Sequence, residues 1–139
     1  MPVFLHKQQL DYKICKLLSL EAAPADLSYW ESMLERLYSP KETVRIGIVG
    51  KYMQHQDAYK CVFEALHHAA ITHQVKLDIQ TFESEKVSSV ADIQGCDAYL
   101  VPGGFGERGW MGKILTAKLC RENKIPYFGL CLGMQVMCV

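Results

Sequence analysis

The chain has 139 residues, half of them hydrophobic, which is the size of one ordinary globular domain. Its 15 basic and 15 acidic residues cancel and form no like-charge block, which argues against binding to nucleic acid or to a membrane surface. Charged residues interrupt the first twenty positions and no apolar run could span a bilayer, so we expect a cytoplasmic protein. Six scattered cysteines form no C-x-x-C pair, and we expect no metal site.

The first forty residues predict a short helical leader without recognisable chemistry. Residues 11–20 predict one short helix, and residues 22–26, with their proline, predict a loop. Apolar side chains at helical spacing predict a second helix over 28–39. Ser28 and Glu31 have the spacing of a capping box at the start of that helix.

From Val44 onward, short apolar runs alternate with helical patterns. Residues 44–49 form an apolar run ended by Gly50, which is typical of a strand buried in a sheet. Asp57 is placed to cap the helix that follows, and residues 75–79 alternate between apolar and polar, as a strand near a sheet edge does.

The same alternation continues to the end of the chain. Residues 98–101 and 125–130 predict two further strands, with a helix marked by Met111 and Leu119 between them. Strands that alternate with helices favour an α/β fold, a mostly parallel sheet with right-handed crossovers and helices on both faces. In such folds the chemistry lies beyond the carboxyl ends of the strands.

One of those strand ends carries a candidate nucleophile. Gly129-Leu130-Cys131-Leu132-Gly133 has the form of a nucleophile elbow, in which a tight strand-to-helix turn projects the central side chain. A helix that opens at Leu132 would favour the thiolate of Cys131. The alternative is a cysteine buried in the core. We favour catalysis because of the two glycines, the preceding strand and Gln135 one turn later.

An acyl-transfer nucleophile also needs hydrogen-bond donors for the oxyanion of its tetrahedral adduct. The backbone amide of Leu132, next to the nucleophile, is one candidate. The glycine loop at 103–106, which follows the preceding strand, can supply the second donor because no side chain prevents close approach of its backbone.

The stretch from Gly104 to Gly109 also matches G-x-G-x-x-G, the pattern of dinucleotide-binding loops. That pattern should follow the first strand and be followed about twenty residues later by an acid that holds the ribose. Here it follows the third strand, and the next strand leads to Cys131 instead. We therefore favour an oxyanion loop over a dinucleotide site or a plain turn.

Three stretches together closely resemble the glutaminase part of the CTP synthase family, which belongs to the class I glutamine amidotransferases. They are GKY with DAYK at 50–60, LVPGGFGERG at 100–109 and RENKIPYFGLCLGMQ at 121–135. The resemblance implies a flavodoxin-like class I glutaminase fold, here truncated and preceded by the helical leader. It assigns residues 1–43 to the tail of the synthetase domain and its linker, and residues 44–139 to an incomplete amidotransferase domain.

The resemblance also implies an activity and roles for particular residues. CTP synthases convert UTP to CTP with ATP and magnesium, using ammonia from glutamine, and GTP stimulates the glutamine step. The intact enzymes are homo-oligomers. The implied roles are Cys131 as nucleophile, Gly104 and Leu132 as oxyanion amides, Gly103, Phe105 and Gln135 as glutamine contacts, and Lys51 and Tyr52 as part of a lid or effector region.

The chain departs severely from the family pattern, and it also lacks the ATP-binding glycine loop of the synthetase domain. The family's general-base histidine and its orienting glutamate follow later strands, whereas this sequence stops at Val139. His55, the one histidine near a strand end, is interpreted as a solvated loop residue. We expect a fragment or a truncated product, inactive alone, without a cofactor site of its own and partnered by the amidoligase domain. The alternatives are a non-catalytic module that binds glutamine or subunits, and another class I amidotransferase.

Overall fold

A computed structural model describes the backbone of residues 1–139 and every side chain except that of Gln56. Three helices precede the sheet: α1 (Pro2–Lys7), α2 (Leu10–Leu17) and α3 (Ser28–Tyr38). No residue of these three helices is buried. The predicted helical leader is therefore confirmed, and it lies on the surface of the molecule.

Helix α3 covers the predicted residues, but it is not capped as predicted. Its N-cap is Leu27, which makes no side-chain hydrogen bond. The carboxylate of Asp26 instead accepts the backbone N–H of Ser28 at 2.9 Å. The predicted capping box of Ser28 and Glu31 is therefore wrong, because a nearer acidic side chain takes one of the free amides at the helix start.

The predicted cap at Asp57 is also wrong. Residues 56–59 form a 3₁₀ turn, and helix α4 (Lys60–His73) begins after it with Tyr59 as N-cap and no side-chain cap. The turn contains its own backbone hydrogen bond, from Ala58 N–H to His55 O at 3.0 Å. A turn of this kind supplies carbonyl acceptors at the start of a helix, so no side-chain cap is required there.

The core of the fold is a four-stranded sheet in which all paired strands are parallel. Its strands are β1 (Glu42–Gly50), β2 (Val75–Glu83), β3 (Ala98–Val101) and β4 (Tyr127–Gly129), in the order β2-β1-β3-β4. Two further helices are α5 (Trp110–Asn123) and α6 (Leu132–Gln135). The predicted α/β fold is confirmed, and the alternating strand β2 lies at an edge as expected.

The strand order also explains how the helices cover the sheet. The crossover through α4 runs from β1 to β2, and the crossover through α5 runs from β3 to β4, in the opposite direction along the sheet. Because such crossovers are right-handed, the two helices are placed on opposite faces. The core cluster includes Val49, Tyr99, Val101 and Leu119, and it fixes the central strands against α5.

Strand β4 is shorter than the predicted span of 125–130. The N–H of Ile125 donates to Cys120 O at 2.9 Å and so closes the end of α5. Pro126 still contributes its carbonyl oxygen, which accepts from Tyr99 N–H at 2.9 Å. The start of the predicted apolar run therefore belongs to the end of α5, and the strand begins only at Tyr127. No helix in the described part of the chain is long and apolar enough to cross a membrane.

Candidate active site

The carboxyl ends of β1, β3 and β4 meet at one edge of the sheet. Val101 and Gly129, the last residues of β3 and β4, are register partners, and Leu100 pairs with Ile48 near the end of β1. The chain leaves β1 and β3 in opposite directions, so the crevice between these neighbours is the topological switch point where parallel sheets bind ligands. The three stretches singled out in the sequence therefore share one region.

Cys131 occupies the turn between β4 and α6. Its φ of 52° and ψ of −111° lie in a region that non-glycine residues rarely adopt. Leu130 N–H donates to Val101 O at 2.9 Å, and the N–H groups of Met134 and Gln135 donate to Cys131 O at 3.0 and 3.1 Å. The predicted strand-turn-helix elbow is confirmed, with Cys131 exposed at its corner.

The two glycines of the elbow allow its backbone to pack closely. A Cβ atom added to Gly133 would lie 1.8 Å from Val101 O, and one added to Gly129 would lie 2.5 Å from Gly133 C and O. Tyr127 hydroxyl donates to Gly133 O at 2.7 Å. Burial raises the pKa of the Tyr127 hydroxyl, so it remains a neutral donor. Helix α6 is thus fixed against β3 and β4.

The glycine loop after β3 approaches the elbow at Gly103. A Cβ added to Gly103 would lie 3.3 Å from Cys131 Cβ and 3.8 Å from Cys131 Sγ. The next residue, Gly104, lies against two lysine side chains, since its added Cβ would be 3.3 Å from Lys51 Cδ and 3.6 Å from Lys113 Nζ. The structure therefore brings the predicted oxyanion loop to the predicted nucleophile.

Sequence reasoning missed Lys113, which lies beneath this loop. The residue is 0% exposed, and its Nζ donates to Pro102 O at 2.7 Å and to Gly103 O at 3.4 Å. Burial, helped by the nearby charge of Lys51, lowers the pKa of Lys113 to about 8, while a negative charge on Cys131 raises it. An ammonium group is thus held against the carbonyls at the start of the loop, where the charge of the candidate nucleophile influences it.

The sequence contained one signal that Lys113 is buried, namely the small residues that share its face of the helix. Thr116, Ala117 and Cys120 follow Lys113 at intervals of three, four and seven, and all four are buried. The prediction for this helix used the larger apolar residues instead, and one of these, Met111, is exposed. Small buried neighbours leave room for a long side chain.

Lys51 supports the second half of the same loop. It follows β1, is 6% exposed, and donates from Nζ to Phe105 O at 2.6 Å and to Gly106 O. Its backbone N–H donates to Tyr59 hydroxyl at 3.2 Å. Burial, then the charge of Arg108, lowers the pKa of Lys51. Lys51 therefore contacts the oxyanion loop directly; the lid or effector role of its segment stays a prediction.

The remaining predicted residues lie in different environments. Leu132 is buried as the first residue of α6, where a helix N–H has no intrahelical acceptor. Phe105 is 87% exposed, and Gln135 is exposed one turn beyond the elbow. Tyr52 is half-buried next to Lys51. Their roles toward glutamine and an effector stay predictions.

Comparison with known proteins agrees with this arrangement. Residues 54–139 match the family described as Glutamine amidotransferase class-I. This match covers more than half of the chain and includes the elbow and the glycine loop. The chain therefore belongs to the class I glutamine amidotransferase family.

Within that family the chain is similar to CTP synthases. The chain is 60% identical over 144 residues to the CTP synthase of Protochlamydia amoebophila and 51% identical over 140 residues to that of Chlamydia felis. Both comparisons cover 100% of this chain but only 27% and 26% of the relatives. The chain thus spans about a quarter of the length of the curated relatives it matches.

A solved structure supports the same placement. The glutaminase domain of Trypanosoma brucei CTPS, with bound acivicin, has a TM-score of 0.63 and 46% sequence identity to this chain. The likeness covers 68% of this chain and 38% of that one. The fold is therefore that of a CTP synthase glutaminase domain.

Proposed function

We propose that Cys131 is the nucleophile of glutamine hydrolysis in the glutaminase part of a CTP synthase. The observation that supports this most directly is the backbone of Cys131 at φ 52°, which holds the thiol at an exposed corner beside Gly103. A strained residue held by its surroundings is typical of a functional site. The match of residues 54–139 to the class I glutamine amidotransferase family supports glutamine as the substrate in this proposal.

The chemistry assigned to this corner has two steps. The thiolate of Cys131 attacks the side-chain carbonyl carbon of glutamine, and the carbonyl oxygen becomes an oxyanion. The general base passes the proton that it took from the thiol to the amide nitrogen, the oxyanion collapses, the C–N bond breaks, and ammonia leaves. Water then hydrolyses the resulting thioester, which releases glutamate and restores the thiol.

The donors for that oxyanion are proposed to be the amides of Gly104 and Leu132. Leu132 is adjacent to the nucleophile, and Gly104 follows the glycine that contacts it. Gly103, Phe105 and Gln135 are proposed to contact the bound glutamine. Acivicin is bound in the Trypanosoma brucei structure, and for the present chain we propose that it binds at the corner of Cys131.

The chain is proposed to act as one segment of a longer enzyme. The general base and its orienting acid would come from outside residues 1–139, as would the amidoligase domain that uses ATP, magnesium and UTP. In this proposal residues 1–43 join that domain to the glutaminase part. The exposed apolar side chains of the leader, such as Leu17 and Phe4, fit contact with the remainder, because extended apolar surface marks interaction sites.

A chimera tests the assignment. Residues 1–139 replace the matching segment of the Protochlamydia amoebophila CTP synthase, and glutamate release from glutamine is measured with ATP and UTP present. We expect hydrolysis in this chimera and none above background after Cys131→Ala, because the thioester cannot form. A Cys61→Ala chimera is the control, since Cys61 is an exposed cysteine on α4. Hydrolysis that survives Cys131→Ala would contradict the proposal.

A further inference from the structure

The buried ammonium group of Lys113 is the feature of the site with no assigned role. It is 0% exposed, and among the described side chains no carboxylate pairs with it. An unpaired buried charge is costly unless hydrogen bonds satisfy it. Its acceptors are the carbonyl oxygens of Pro102, which precedes the glycine loop, and of Gly103, the first residue of that loop. The lysine and the loop therefore fix each other's position.

We propose that Lys113 is a positioning residue of the oxyanion site: by holding the carbonyl groups of Pro102 and Gly103, it aims the amide N–H groups of Gly103 and Gly104 toward the adduct on Cys131. This inference rests on the proposed function, because it assigns a part in glutamine hydrolysis.

Peptide geometry connects the carbonyls to the amides. The described backbone contains no cis peptide bond. In a planar trans peptide the N–H points opposite to the preceding C=O. The carbonyl of Pro102, turned toward Lys113 Nζ, therefore turns the N–H of Gly103 away from it. The carbonyl of Gly103 does the same for the N–H of Gly104, the proposed oxyanion donor.

The loop needs such an anchor because glycines do not fix their own conformation. Gly103, Gly104 and Gly106 have no side chains to limit φ and ψ, so the orientation of the loop's peptide planes depends on outside contacts. Lys113 holds the half next to Cys131, and Lys51 holds the carbonyls of the other half. Oxyanion donors are effective only when they are held in place before reaction.

The test uses variants of the chimera described above. Lys113→Met keeps the length of the side chain but removes the donor and the charge, while Lys113→Gln keeps an uncharged donor. Lys118→Met is the matched control, since Lys118 lies on the same helix with its side chain 52% exposed. Three quantities are compared: kcat and KM for glutamine, the limiting rate of Cys131 alkylation by iodoacetamide at high pH, and the melting temperature.

We expect Lys113→Met to lower kcat about tenfold or more while KM changes by less than about threefold, because the donor matters most in the transition state. Alkylation should stay within about twofold of the parent, since displacement of iodide needs no oxyanion donor. Lys113→Gln should recover part of kcat, and Lys118→Met should match the parent.

Two results would overturn the inference while leaving the proposed function intact. One is a Lys113→Met chimera whose kcat is within twofold of the parent. The other is a loss of kcat that is accompanied, in both Lys113 variants, by a comparable fall in the alkylation rate of Cys131 and by a lower melting temperature. That result would indicate a purely structural role. A parent chimera without hydrolysis, or with hydrolysis that persists after Cys131→Ala, overturns the proposed function and this inference with it.

Discussion

The folded chain disfavours the protonated, charged form of the Lys113 amine, because this group is buried. Burial lowers its pKa from 10.5 to about 8, so between these pH values the unfolded chain binds a proton that the folded chain does not. Raising the pH through this window therefore favours folding, by up to about 3 kcal/mol at 1.36 kcal/mol per pKa unit. Other buried groups oppose this trend, since burial raises the pKa of Cys120 to about 11 and that of Tyr99 to about 12.

A comparison of variants separates Lys113 from those groups. We expect the melting temperature of the parent chimera, relative to its Lys113→Met variant, to rise as the pH increases from 8 to about 10. The cysteine and tyrosine contributions are common to both proteins and cancel. Melting curves at half-unit pH intervals measure the difference, with Lys118→Met as a control that should show no trend. A pH-independent difference between parent and Lys113→Met would show that the amine is not disfavoured by burial.

At the scale of elements, close packing of α6 on β3 depends on one glycine. A Cβ on residue 133 would lie 1.8 Å from the backbone oxygen of Val101, which belongs to a central strand and cannot move aside. We expect Gly133→Ala to cost about 3 kcal/mol or more, at the upper end for overpacking, and to displace Cys131. The melting temperature and the glutamine hydrolysis of the chimera are measured, and we expect the first to fall and the second to be lost.

Gly106→Ala is the matched control for that substitution. Gly106 has φ 69° but nothing within 4 Å of an added Cβ, so alanine there brings only backbone strain of about 1–2 kcal/mol. We therefore expect Gly106→Ala to lower the melting temperature less than Gly133→Ala. Equal effects of the two substitutions would show that α6 can shift away from β3 without penalty.

The sequence predicted the elements whose signals are local and strong. The strand at 98–101 was predicted to the residue, because a buried parallel strand is an apolar run and Pro102 ends it. The elbow at Cys131 followed from glycines that allow close packing. The caps at Ser28 and Asp57 were wrong, because several nearby acceptors compete for the same amides and pattern alone does not rank them.

Lys113 could not be predicted from hydrophobic pattern for a different reason. A lysine in a helical segment is normally placed on the solvent side. Its burial depends on the small residues of α5 and on carbonyl groups of a loop from a different strand end. Contacts of this kind exist only after the sheet has brought the two segments together.

At the scale of the whole molecule, the sheet and the leader present surfaces that suit further protein. Strand β4 forms one edge of the sheet, and its Phe128 is 61% exposed. An unpaired edge with exposed apolar side chains is prone to association. The leader adds more such surface, with Leu17 84% exposed. Contact with the remainder of a longer enzyme would cover both regions.

Expressed alone, residues 1–139 should therefore be poorly soluble and should not hydrolyse glutamine. The chimera should be more soluble and should hydrolyse glutamine. The catalytic part of this expectation rests on the positions of the five histidines. His67, His68 and His73 lie on α4, which crosses to the far edge strand β2, and His55 is exposed in the loop after β1. His6 lies on α1 and pairs with Asp11. None of their described hydrogen bonds reaches Cys131. Size-exclusion chromatography, thermal melts and glutamate release from the isolated chain provide the test. A soluble monomer that melts cooperatively above physiological temperature would contradict the expected poor solubility. Turnover that disappears with Cys131→Ala would contradict the expected inactivity, because it would show that a general base is present within residues 1–139.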